Sequence, residues 1–160
     1  MKLLRANKDA LVFRFNEGEK AVLLDILKLY PCVPPGHRRH RLHARAAISS
    51  DLENQCLLEE ALAEQRAKTK RQLQAWLKSP KTFLATPAGA ELHLRRSDFD
   101  WLLQVLNDVR VGSWIALGEP EELPDDLPAN ETDAAHVCAM ELAGLFEMTL
   151  LEILEESAGA

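Results

Sequence analysis

From Ser50 through Lys78 the chain contains neither glycine nor proline, and the run ends only at Ser79-Pro80. No other feature narrows the possible folds so far. The run opens with Ser50-Asp51-Leu52-Glu53, where a hydroxyl and a carboxylate three residues apart can satisfy each other's backbone amides in a capping box. The expected element is therefore a helix over residues 51–78, about 40 Å long at 1.5 Å per residue. Its apolar stripe is thin. Leu58, Leu62, Leu73 and Trp76 share one side, but Gln65 and Thr69 occupy the middle of that side and the remainder is charged. Much of this helix is expected to face solvent, so the core must be built by other segments.

Those segments are legible from their periodicities. ALVFRF at 10–15 ends in the period-two alternation of a half-buried strand, and residues 2–5 can pair with it across Asn7-Lys8-Asp9. Asn16 then caps a helix over 17–30 with Glu19 reaching back, and Val22, Ile26, Leu29 and Tyr30 form its stripe as far as Pro31. ELHLR at 91–95 alternates again. Ser97 is expected to cap a third helix over 98–117, closed by Gly118 and Pro120. A fourth, over 131–156, is apolar on two faces: Ala135, Cys138, Leu142, Phe146 and Ile153 on one, Val137, Met140, Met148 and Leu151 on another.

Sliding the chain by 79 residues lays Phe13 and Phe15 on Leu92 and Leu94, and Leu23, Leu24, Ile26 and Leu27 on Leu102, Leu103, Val105 and Leu106. This suggests two strand-helix-helix halves with their strands paired. The expected fold is α+β, predominantly α, with about four main helices and a small antiparallel sheet.

At 160 residues and 47% hydrophobic content the chain suits one domain, 1–160, able to bury a core without staples. Cys32, Cys56 and Cys138 form no C-x-x-C pair and are odd in number, which fits reduced thiols in a cytoplasmic protein. The N-terminus lacks the apolar run of a secretory signal, and no segment has the length of a membrane span.

Charge is lopsided. Residues 1–80 hold 15 Lys+Arg against 9 Asp+Glu, and residues 81–160 hold 4 against 16. His37, Arg38, Arg39, His40, Arg41, His43 and Arg45 form the one concentrated basic patch, an expected interaction surface. They could meet the acidic stretch of Glu119, Glu121, Glu122, Asp125, Asp126, Glu131 and Asp133.

Several chemistries find no support. There is no G-x-G-x-x-G, Walker loop, H-E-x-x-H or G-x-S-x-G, so neither a phosphate cradle nor a motif-borne nucleophile is indicated, and no catalytic residue or cofactor is assigned. Cys32 with His37, His40 and His43 has ligand types that suit zinc, but the interleaved arginines would repel a divalent ion, so no metal is assigned. The basic patch lacks aromatic residues for base stacking, and the protein is acidic, which argues against nucleic acid. Met140 and Met148, with Gly144 between them and Leu151 beyond, suit an adaptable packing face, either within the monomer's own core or, as a homodimer is expected, between two copies.

At 100° per residue Arg110 falls between Phe99, Leu103, Leu106 and Leu117, and Asn107 sits one turn earlier at the edge of that stripe. A guanidinium there requires a carboxylate, helix-end carbonyls or a ligand. Asn107 and Arg110 are therefore the candidate ligand-binding residues, with a structural polar network as the plainer explanation.

The run WLLQVLNDVRVGSWIALG, with ELHLR before it and an acidic loop and apolar helix after it, resembles a bacterial domain family of unknown function found mainly in actinobacteria. LVFRFNEGEKAVLLDIL is similar to that family's opening. The middle departs from the pattern: where members tend to have an acidic run and a Phe-Arg-Arg motif, this chain has its His/Arg segment and SSDLENQCLLEE. Genes of that family often neighbour the gene for the Clp protease adaptor ClpS, so the resemblance implies a role near regulated proteolysis and brings no activity. The expected function is that of a non-catalytic interaction or regulatory protein with a protein partner. The alternative is a small-anion-binding protein or enzyme using a pocket around Arg110 and Asn107.

Overall fold

The computed structural model describes residues 1–32, 49–123 and 127–158. Among these residues four strands and four helices follow one another as β1 (Lys2–Ala6), β2 (Ala10–Phe15), α1 (Glu17–Lys28), α2 (Ser49–Lys78), β3 (Phe83–Thr86), β4 (Gly89–Arg95), α3 (Arg96–Ala116) and α4 (Glu131–Ala158). The fold is α+β and predominantly α, as the periodicities require.

The strands form one antiparallel sheet in the order β1-β2-β4-β3. Two hairpins, each followed by helices, thus meet at their second strands. Phe13 lies opposite Leu92, and Phe15 opposite Ala90. The expected pairings of 2–5 with 10–15 and of 10–15 with 91–95 both hold, but the second half is a hairpin rather than a lone strand, because β3 precedes β4. Gly89 closes the second hairpin at a φ of 124°, and a Cβ there would lie 2.2 Å from the carbonyl oxygen of Phe15, so only glycine admits this approach of β4 to β2.

Alternation along β2 and β4 sends Leu11, Phe13, Phe15, Ala90, Leu92 and Leu94 to the face that α1, α3 and α4 cover. Helices α3 and α4 pack along each other over this face. One apolar cluster joins it all, taking Leu23, Ile26 and Leu27 from α1, Phe99, Leu102, Val105, Leu106 and Val109 from α3, and Ala139, Ala143, Phe146 and Leu150 from α4. The Phe146 ring stacks on Phe15 at 6.3 Å between centroids, and so ties α4 to the sheet. Helix α1 begins as read: Asn16 Oδ1 accepts from the Glu19 amide at 2.8 Å, and Glu19 accepts from the Asn16 amide at 2.9 Å.

The start of α3 differs from expectation. Its first residue is Arg96, preceded by Arg95 with no side-chain cap, and Ser97 lies within the first turn. The reason is local: the Asp98 carboxylate receives Nε and Nη2 of Arg95 at 2.7 and 3.1 Å, and the Ser97 hydroxyl donates to the same carboxylate. The polar groups of this turn satisfy one another.

Candidate functional site

Arg110 does not occupy the centre of the apolar stripe of α3. That centre is Leu102, Val105, Leu106 and Val109, with Gly112 and Ser113 following, and Arg110 is displaced by one position to the edge, where its side chain is 46% exposed. The packing of α4 selects this phase. Arg110 Nε lies 3.2 Å from the Glu147 carboxylate of α4, and its Nη2 donates to Asn107 Oδ1 at 2.8 Å. Its aliphatic stem passes over Gly144, whose hypothetical Cβ would sit 3.4 Å from Arg110 Cδ. Asn107 and Arg110 are therefore brought together, as spacing requires, but each is already engaged.

Beside them lies an open groove of about 340 Å³, lined by Arg110, Gly144, Glu147, Met148, Leu151, Glu152 and Glu155. Three carboxylates face one guanidinium that is already paired. Burial pushes the Glu147 carboxyl above its ordinary value, and Arg110 recovers only part of that cost. The groove has the charge to receive a cation rather than an anion.

The expected interaction surface of His37, Arg38, Arg39, His40, Arg41, His43 and Arg45 lies outside the described residues, as do Asp125 and Asp126 of the acidic stretch proposed to meet it. The three histidines of the zinc set lie there too. No group of three or more potential metal ligands occurs among the described residues, and no helix among them is long and apolar enough to cross a membrane.

A polar chain that sequence reading missed runs between the segment after α1 and helices α3 and α4. His136 Nδ1 is 3.2 Å from the hydroxyl of Ser113, and that hydroxyl donates to the Cys32 sulfur at 3.6 Å. Nothing in the local sequence announces it, because its members are separated by 81 and 23 positions. Its chemistry is subdued. Ser113 is fully buried, and burial holds the Cys32 thiol above its ordinary pKa, so at neutral pH the sulfur stays protonated and the hydroxyl unreachable. The chain links the segment after α1 to the α3–α4 pair.

Helix α2 is longer than its tertiary support. Toward its C-terminus Leu73 is buried, Trp76 meets Phe83 and Trp101 edge-on at 6.0 and 5.8 Å, and the Thr82 hydroxyl caps the Trp76 carbonyl at 2.7 Å. Toward the N-terminus the described residues give no such support, and Leu57 and Leu58 are about 60% exposed. The thin stripe read from the sequence is therefore real over Leu73 and Trp76, half real at Leu62, and absent at Leu58. The chain matches no family model, no curated protein and no solved structure.

Proposed function

We propose that this chain is a non-catalytic interaction protein whose projecting helix α2 is the partner-binding element. The observation that carries the reading is the pair of exposed leucines, Leu57 and Leu58, toward the N-terminal end of α2. Helical segments gain most of their stability from an apolar face packed on something, and a helix end with leucines in water lacks that gain until a partner supplies it. The charge of α2 adds selectivity, since Glu59, Glu60 and Glu64 precede Arg66, Lys68, Lys70 and Arg71. A partner with the opposite polarity along its own helix or groove would be held in one direction.

The resemblance noted in the sequence makes components of regulated proteolysis the first partners to test. Purified chain immobilised on resin is expected to retain such a partner from native extract. The double substitution Leu57→Ser, Leu58→Ser is expected to release it without lowering the melting temperature, because neither side chain contributes to the core. Retention of the same partner by the double variant would remove α2 as the binding element.

A further inference from the structure

Helix α4 has no lysine or arginine anywhere along its length, yet carries seven acidic residues. Its inner face builds the core through Ala139, Ala143, Phe146 and Leu150. Its outer face leaves Leu145, Met148 and Leu151 exposed at 52%, 53% and 45%. Spaced three residues apart, these form a short oblique ridge. A groove flanks it on each side: the one at Arg110 and Glu147 already described, and another of about 270 Å³ lined by Met1, Glu19, Val22, Leu142, Leu145, Phe146 and Thr149. Glu141 stands one turn before Leu145, and Glu152 and Glu155 stand one turn after Met148 and Leu151. Among the described residues the cation that lines the first groove, Arg110, is already held by Glu147. The ridge is thus apolar, bracketed by negative charge, and walled by grooves that a neighbouring helix's side chains could enter.

We propose that this face docks a basic amphipathic helix of a partner protein. A second copy of the chain fits poorly. Two α4 helices related by a two-fold axis would bring their carboxylates together with no cation on either helix to offset them. An incoming helix with leucine-like residues on one face buries Leu145, Met148 and Leu151, and the unbranched Met148 adapts to its shape. Lysines or arginines at its two ends pair with Glu141 and with Glu152 and Glu155. Glu141 and Glu152 are separated by eleven helical steps, so the matching cations lie about 16 Å apart along the partner. No described residue of α2 lines either groove.

The test uses the full chain and a fluorescent synthetic peptide with leucines along one helical face and lysine pairs about eleven residues apart. Anisotropy titration is expected to show saturable binding. Leu145→Ser with Met148→Ser, and Glu152→Lys with Glu155→Lys, are each expected to weaken it about tenfold or more. Glu121→Lys with Glu122→Lys, which makes the same charge change away from α4, is expected to leave it within about twofold. Equal weakening by both charge reversals would mean that the peptide senses only net charge and would overturn the proposal. So would equal binding of a peptide with glutamates in place of the lysines, no binding to the native chain, or sedimentation as a dimer that Met148→Ser dissolves.

Discussion

Replacing Arg110 by methionine isolates what its ion pair contributes, because the aliphatic part of the side chain remains over Gly144 while the charge is lost. At 3.2 Å the gross attraction to Glu147 is about 5 kcal/mol in a medium of effective dielectric ~20. Arg110 is nearly half exposed, however, and solvent screens most of that, whereas Glu147 is only 16% exposed and would be left largely desolvated. Exposed pairs contribute at most about 1 kcal/mol, and breaking a buried pair costs about 3–5, so Arg110→Met is expected to cost about 2 kcal/mol at neutral pH.

The pH dependence identifies the cause. The folded-state pKa of Glu147 is raised, mainly by burial and despite Arg110, so the folded state binds this proton more tightly than the unfolded state does. Stability from this group is therefore greatest below the unfolded value near 4.5 and is lost as pH rises through the folded value. Removing Arg110 raises the folded value further. The deficit of Arg110→Met should be small at about pH 4 and open fully by about pH 7, and adding Glu147→Gln should recover most of it. Urea unfolding at both pH values measures this. Equal deficits at the two would refute the electrostatic reasoning and assign the loss to packing on Gly144.

Gly89→Ala is expected to cost about 3 kcal/mol or more in the same assay, since it combines a positive φ with a Cβ driven into the Phe15 carbonyl. Phe146→Ala, by emptying the space between α4 and Phe15, is expected to cost about 3–5 kcal/mol. In a Cys138→Ser background, a disulfide reagent at neutral pH is expected to label exposed Cys56 promptly and Cys32 slowly. The Cys32 rate should climb only as pH passes into its raised thiol range.

The elements that could be read from sequence are those whose cause is local. The Asn16–Glu19 box, the alternation of Phe13 and Phe15, and the glycine- and proline-free run of α2 each act within a few residues, and each is where it was expected. β3 was missed because its four residues, Phe-Leu-Ala-Thr, are too few to show a period. Arg110 was misplaced by one position on its helix, because the phase of α3 is chosen by α4, which lies far along the chain. The link of Cys32 through Ser113 to His136 is equally non-local. Of the candidate site, the acidic balance of the second half and the apolarity of both faces of α4 were legible in the residues. Which of those faces stays in water depended on how the whole helix lay over the sheet.

The sheet order has a consequence for how the molecule is made. Each hairpin is local and can close early, but the pairing that unites them joins residues such as Phe13 and Leu92, roughly eighty positions apart. Closing so long a loop carries an entropic cost that must be met before the contacts inside it are gained, and proteins dominated by distant pairings fold slowly for that reason. During synthesis the first hairpin emerges with Leu11, Phe13 and Phe15 uncovered, and β4 leaves the ribosome only after the whole of α2. Until then only α1 can cover that face, and the part that α3 and α4 will occupy waits in water. In that interval the nascent chain depends on slow aggregation or on a chaperone, and the length of α2 sets how long the interval lasts.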